Sequence, residues 1–251
     1  MNFGIEDFPS MLVFLPGLIC DARIFAPQLA AFPQAKAIGG YGLLDRLEDM
    51  AQFVLDSTPG RFDLFGHSMG GRIALEILRL APDRVRRLAL VSTGVHGVQP
   101  GEADKRHELT RLGHDHGFAA LVDRWLPPMV APAHHDDPAV LPALRAMCFE
   151  QGQARWEAQV AALLARSDRT AMLPAIACPT LVMTGALDQW SPPAQHREFA
   201  AAIPGATLAI VPGAGHMIQR EAPDAVNTAI ARWLAQPTGD GLLSNPQGEQ
   251  A

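Results

Sequence analysis

Ser68, Asp188 and His216 are the residues of this chain whose types and settings suit acyl-group chemistry. A serine hydroxyl is a poor nucleophile at neutral pH; it needs a base within hydrogen-bond reach and an acid that holds that base in the right tautomer. Ser68 lies in Gly66-His67-Ser68-Met69-Gly70, with Gly71 following. Glycines two residues either side of a serine suit a sharp strand-to-helix turn that lifts the hydroxyl clear of a sheet, because a larger side chain would collide with neighbouring backbone. The rival reading is a glycine-rich loop that only caps a helix. Context decides between them: Asp188 follows Gly185-Ala186-Leu187, and His216 follows Pro212-Gly213-Ala214-Gly215. Both stand just past apolar runs, so their loops come to the same carboxyl edge of a sheet as Ser68, in the order Ser, Asp, His.

The segments that must hold these loops alternate in period. Met11-Leu12-Val13-Phe14-Leu15, ending at Pro16-Gly17, predicts a strand buried on both faces of a mostly parallel sheet. Asp21 is placed to cap a short helix through Ile24, Phe25, Leu29 and Phe32, with Pro27 tolerated in its first turn. A weak strand is expected at 35–41, then a helix carrying Leu43, Leu44, Leu47, Met50, Val54 and Leu55, closed by Thr58-Pro59-Gly60. Residues 61–65 lead into the serine turn; Ile73, Ala74, Ile77, Leu78 and Ala81 trace a helix face after it, and 88–91 form another buried strand. From 95 to 176 the pattern is helical and broken by prolines, an insertion whose apolar side chains, Leu121, Val122, Trp125, Trp156 and Leu163 among them, suit a lid over an apolar pocket. Strands return at 180–185 and 206–211, and a helix is expected from about 223 to 234. The class is α/β: a mostly parallel, doubly wound sheet with core segments 1–94 and 177–235, a helical lid at 95–176 and a flexible tail at 236–251.

Composition narrows the function. A formal net charge of -6 leaves no basic face for a polyphosphate backbone, so nucleic acid is not an expected partner. Arg84, Arg86 and Arg87 form the one tight basic cluster and read as solvated charges at a strand end. Cys20, Cys148 and Cys178 lack any C-x-x-C spacing, so neither a disulfide framework nor a structural zinc site is indicated. The first ten residues carry Glu6 and Asp7 but no Lys or Arg, and the run at 11–15 is too short for a membrane span; a cytoplasmic location is expected. His114, Asp115 and His116, with His134, His135, Asp136 and Asp137, read as solvated polar turns rather than metal ligands. His67 adjoins Ser68, but its side chain should point away and be packed or hydrogen-bonded; Cys20 reads as a small buried filler.

Taken together, the serine, aspartate and histidine segments resemble the α/β-hydrolase fold superfamily, in its compact lidded members such as small bacterial carboxylesterases and enol-lactone hydrolases. The resemblance covers about residues 11–234. It implies Ser68 as nucleophile, His216 as general base then acid, Asp188 as the carboxylate that orients it, and no metal or organic cofactor. An oxyanion hole needs two donors: Met69 N–H at the helix start is one, and Leu18 N–H is the analogous second, although Pro16-Gly17 stands where the family usually has His-Gly and so lacks a side chain that often braces this loop. Trp190, two residues past Asp188, and Trp125 in the insertion are candidate pocket walls. The expected activity is hydrolysis of a carboxylic ester on a small or medium, mostly uncharged substrate. Lactone or thioester hydrolysis, acyl transfer, C–C cleavage and ligand reception by a relative that keeps the triad remain open. A serine nucleophile argues against haloalkane dehalogenase and epoxide hydrolase chemistry, whose relatives use aspartate.

Overall fold

In the computed structural model, which describes residues 11–238, the apolar runs form one six-stranded sheet. Its strands are β1 (Met11–Leu15), β2 (Lys36–Ala37), β3 (Phe62–His67), β4 (Val85–Val91), β5 (Thr180–Gly185) and β6 (Thr207–Val211). The order is β2-β1-β3-β4-β5-β6, with every neighbouring pair parallel. β1, β3 and β5 are almost wholly buried, as helices on both faces require. The helices are α1 (Ala26–Ala31), α2 (Leu47–Ser57), α3 (Met69–Leu80), α4 (Glu102–His116), α5 (Phe118–Trp125), α6 (Leu141–Leu164), α7 (Pro193–Ala202), α8 (Ile218–Glu221) and α9 (Pro223–Leu234). Right-handed crossovers put α2, α3 and α7 on one face and α1 on the other, where α9 packs against it.

Sequence and structure differ at several boundaries. The strand expected at 35–41 shrinks to Lys36–Ala37, because Gly40 and Gly42 take left-handed φ values of 76° and 59° and turn the chain away. The next helix therefore begins at Leu47, and Leu43, 64% exposed, lies outside it. The arginine cluster is not simply solvated. Arg87 lies within β4, buried opposite Asp63 of β3, and its Nη1 donates to that carboxylate at 3.0 Å. Arg84 donates to the carbonyls of Gly60 and Thr58. Charge at the start of β4 is thus used to pin neighbouring backbone.

Between β4 and β5 lie α4, α5 and α6 with short 3-10 turns and no strand, α6 being broken at Gly152 (φ 79°). Trp125 meets Trp156 edge-on at 5.5 Å, and Trp156 Nε1 donates to Thr110 Oγ1 at 2.9 Å. This insertion is fastened to the sheet domain by polar contacts: Arg169 pairs with Glu76 of α3, and Gln159 of α6 accepts from Ile19 N. Gln236, the first residue of the expected tail, accepts from Arg87 and donates to Thr207; the rest of that tail beyond 238 lies outside the described residues, as do Glu6 and Asp7. Among the described residues, no helix is long and apolar enough to cross a membrane.

Candidate active site

Ser68 sits between β3 and α3 with φ 54° and ψ -116°, a conformation that L residues adopt only when their surroundings enforce it. Its N–H donates to Val91 O, and its carbonyl accepts from Gly71 N and Thr93 Oγ1. Side chains are excluded on either side: a Cβ on residue 66 would lie 2.4 Å from Gly70 O, and one on residue 70 would lie 2.1 Å from Leu15 O. The glycine spacing therefore reflects the close passage of β1, β3 and α3 that makes the turn.

The structure brings the three candidates together. Ser68 Oγ is 2.9 Å from His216 Nε2, and His216 Nδ1 is 2.9 Å from Asp188 Oδ2. The other Asp188 oxygen accepts from Trp190 N at 2.9 Å and Ser191 N at 2.8 Å. Burial alone would raise the Asp188 pKa, but the His216 ring and these N–H groups outweigh it and hold the carboxyl at about 2. An ionised Asp188 makes Nδ1 the protonated nitrogen of His216 and leaves Nε2 free to accept from Ser68.

Residues outside this set hold His216 in place. His67, buried as expected, donates from Nε2 to the His216 carbonyl at 3.0 Å, and burial, reinforced by His216, lowers its pKa to about 3, so the ring stays neutral. His216 N donates to Met129 O at 2.7 Å. Glu221 accepts from three backbone donors: Gly215 N and Ala131 N, both at 2.8 Å, and Met217 N at 2.9 Å. This carboxylate ties the histidine loop to the insertion. Glu221→Ala strands three buried N–H groups and should lower stability by about 3 kcal/mol, which a thermal melt would show as a Tm drop of roughly 6–12 °C. A melt within about 2 °C of the parent would remove Glu221 from this role.

Leu18 N and Met69 N have no acceptor among the described residues, and both residues border the cavity that holds Ser68 and His216. Met69 N is the first amide of α3, where no intrahelical acceptor exists. Behind Leu18, Ile19 adopts φ 45° while its N–H donates 2.7 Å to Gln159 Oε1. A side chain from the insertion thus braces the loop that follows Pro16-Gly17. The cavity is about 470 Å³. Trp125, 3% exposed, and Trp190, 44% exposed, both border it, as do Met129 and Leu163. Charged side chains border the same cavity: Arg72, Glu102, Lys105, Arg106 and Arg166 make up a charged wall beside these apolar residues.

Several of the remaining candidates have local partners. His114 and His116 end α4 rather than occupying a turn, and His114 Nε2 lies 2.8 Å from Glu157. His135 Nε2 faces the carbonyls of Pro127 and Val130. Among the described residues, no three His, Cys, Asp or Glu side chains are grouped to hold a metal ion. Cys20 is buried with its thiol against that of Cys148, which, ahead of burial itself, pushes the Cys20 pKa well up.

A model of the alpha/beta hydrolase family matches residues 7–229. The chain belongs to the alpha/beta hydrolase family. It is 30% identical over 242 residues to the dihydrolipoyllysine-residue acetyltransferase component of an acetoin cleaving system from Pseudomonas putida, with 93% of this chain and 61% of that one covered. The chain thus spans less than two thirds of that relative. It is 29% identical over 181 residues to a pimeloyl-[acyl-carrier protein] methyl ester esterase from Nitrosomonas europaea, covering 69% of this chain and 71% of the relative. Among solved structures, the enol-lactonase from Burkholderia xenovorans LB400 superposes with a TM-score of 0.81 at 25% identity, covering 93% of this chain and 94% of the other.

In this alpha/beta hydrolase, sequence reading missed Gln159, Glu221 and the charged wall. Gln159 and Ile19 are 140 positions apart, and nothing in the local pattern of α6 distinguishes a polar side chain that reaches inward from one that faces water. Glu221 did carry a signal: a lone carboxylate five residues after His216, next to a helix start. The charged wall had none.

Proposed function

We propose that this alpha/beta hydrolase is a serine hydrolase that cleaves carboxylic esters of small to medium substrates through an acyl-enzyme. The observation that carries the reading is the chain of hydrogen bonds from Ser68 Oγ to His216 Nε2 and from Nδ1 to Asp188. Ser68 Oγ attacks the ester carbonyl carbon while His216 Nε2 takes its proton. The carbonyl π pair moves onto oxygen, and the N–H groups of Met69 and Leu18 stabilise that oxyanion. Collapse of the tetrahedral species expels the alcohol, which receives the proton from His216, and leaves Ser68 acylated. Water then repeats the sequence: His216 takes its proton, hydroxide adds to the acyl carbon, and the acid departs as the proton returns to Ser68. No other group is needed for proton balance.

The insertion acts in this reading as the lid that shapes the pocket. Similarity to an enol-lactonase favours one variant, an internal ester, which the same steps open without releasing a separate alcohol. The test is direct. Rapid mixing with p-nitrophenyl acetate should give a burst of one nitrophenolate per active site, and acid quenching should leave one acetyl group on the peptide that contains Ser68. Acetylation of another residue instead, or turnover with Ser68 never modified, sinks the mechanism.

A further inference from the structure

The charged wall of the cavity is out of balance. Arg72, Lys105, Arg106 and Arg166 border it, against a single carboxylate, Glu102. Glu102 is already shared: Arg106 Nε and Nη2 donate to it at 3.0 and 2.9 Å, and Arg166 Nη1 and Nη2 at 2.8 and 2.5 Å. Arg166 also donates to the carbonyls of Leu163, Gly97 and His96, so its guanidinium is fully occupied. Asp168, whose field also reaches Arg72, is a surface side chain that accepts from the N–H groups of Gly97 and Thr170.

Arg72 is the exception. Its Nη1 donates to His96 O at 2.8 Å, and among the described residues no carboxylate pairs with it and no acceptor meets Nε or Nη2. Arg72 is only partly buried, and it borders the cavity. Burial first, and the Arg166 guanidinium next, pull its pKa down to about 9 against the opposing fields of Glu102 and Asp168, neither of which is paired to it; it is still a cation at neutral pH. Taking a guanidinium out of water without a counter-ion is costly, and an anion supplied by a ligand offsets that cost. The neighbouring His96 supplies no negative charge: Gln195 Nε2 is 2.7 Å from its Nδ1, and burial followed by Arg72 lowers its pKa.

Position matters as much as charge. Arg72 stands early in α3, four residues past Ser68, the residue that caps that helix, and both border the same cavity. Gly94, just beyond β4, leaves room for the guanidinium, since a Cβ there would lie 2.7 Å from Arg72 Nη2. We infer that Arg72 is a specificity-determining residue that binds a carboxylate of the substrate, so that the ester cleaved at Ser68 carries a free acid held in the same cavity as its reacting carbonyl. The planar fork of arginine matches a carboxylate with two parallel N–H donors, Nε and Nη2, which are the pair left unused here. The inference rests on the reading of Ser68 as an ester-cleaving nucleophile, and it narrows that reading from esters in general to acid-bearing ones.

The experiment compares matched substrates on the full chain. One series is the monomethyl esters of succinic, glutaric and adipic acids against the methyl esters of butyric, valeric and hexanoic acids, with the acid on the acyl side. The other is O-acetylated hydroxy acids against the acetates of the corresponding alcohols, with the acid on the leaving side. At least one series should show a kcat/KM preference for the acid of about 10-fold or more. Arg72→Met should lower that acid-to-neutral ratio by roughly 10²-fold, chiefly through KM, with partial recovery in Arg72→Lys. Gly94→Ala, which crowds Nη2, should lower the ratio in the same direction. A purely structural role for Arg72 would lower both members of each pair together and leave the ratio unmoved. That result, or a parent enzyme with no preference in either series, overturns the inference.

A binding measurement separates this from failure of the underlying reading. In Ser68→Ala, glutarate should quench the fluorescence of the tryptophans bordering the cavity, glutaramide should not, and Arg72→Met in that background should abolish the effect. Activity that survives Ser68→Ala counts against the nucleophile and not against Arg72. Equal responses to glutarate and glutaramide, or glutarate quenching that persists in Arg72→Met, count against Arg72 whatever the enzyme hydrolyses.

Discussion

Ser68→Ala and His216→Ala should each lower kcat on a p-nitrophenyl ester by about 10⁵- to 10⁶-fold, and the double variant should be little worse than either one. The expectation follows from how the two side chains work. In the proposed mechanism Ser68 Oγ, 2.9 Å from His216 Nε2, is a competent nucleophile only while that ring accepts its proton. Once either is gone, the other has nothing to act on, and the two losses overlap instead of adding. Under the same proposal, the rate that remains is what the Leu18 and Met69 amides would give to a water-mediated attack, about 10³- to 10⁴-fold over bulk water. The folded state should survive, because the elbow is held by backbone: Ser68 N donates to Val91 O, and Gly71 N donates to Ser68 O. Steady-state kinetics beside thermal melts check both halves. Single variants that keep more than about one hundredth of the parent kcat, or a double variant whose loss is the product of the singles, would contradict the proposed coupling.

The parts of the site carried by backbone geometry were legible in the sequence, and the parts carried by tertiary contact were not. Gly66 and Gly70 announce the elbow because their missing side chains are a local requirement of the turn. Asp188 and His216 are legible because each follows an apolar run by a few residues, and in a parallel sheet that position is an edge. Arg72 lies off the face traced by Ile73, Ala74, Ile77 and Leu78, so periodicity assigns it to solvent. The insertion over that face, bringing Arg106, Glu102 and Arg166, makes the same position part of a cavity, and no window of sequence holds that information. Arg87 fails for the same reason: its burial depends on the β3–β4 register that sets it opposite Asp63. The strand expected at 35–41 falls short for a different reason: Gly40 and Gly42 take left-handed φ that ends it, and a glycine's place in the sequence does not declare the sign of its φ.

Asp188→Asn should lower kcat by about 10⁴-fold with the fold intact, and the reason lies in which way the new amide must face. Asp188 Oδ1 accepts from Trp190 N and Ser191 N, two fixed backbone donors. An asparagine must keep its oxygen there, since its NH₂ group would meet two N–H groups head on. The nitrogen then takes the place of Oδ2, 2.9 Å from His216 Nδ1, and donates to it. His216 is driven into the tautomer protonated at Nε2, which cannot accept the proton of Ser68. The substitution also removes a pH-dependent term. In the folded protein this carboxyl is held at about 2, below its unfolded value near 4, so ionised Asp188 stabilises the fold above about pH 4, and the contribution is lost as pH falls from 4 towards 2. The sum is on the order of 2 kcal/mol. Melts of the parent and Asp188→Asn across that interval should therefore converge as the solution is acidified, while the difference in kcat above pH 5 stays near its full size. Parallel melting curves from pH 5 to 2 would mean that the Asp188 pKa is not depressed. A kcat within about 10-fold of the parent would mean that His216 does not depend on Asp188 for its tautomer.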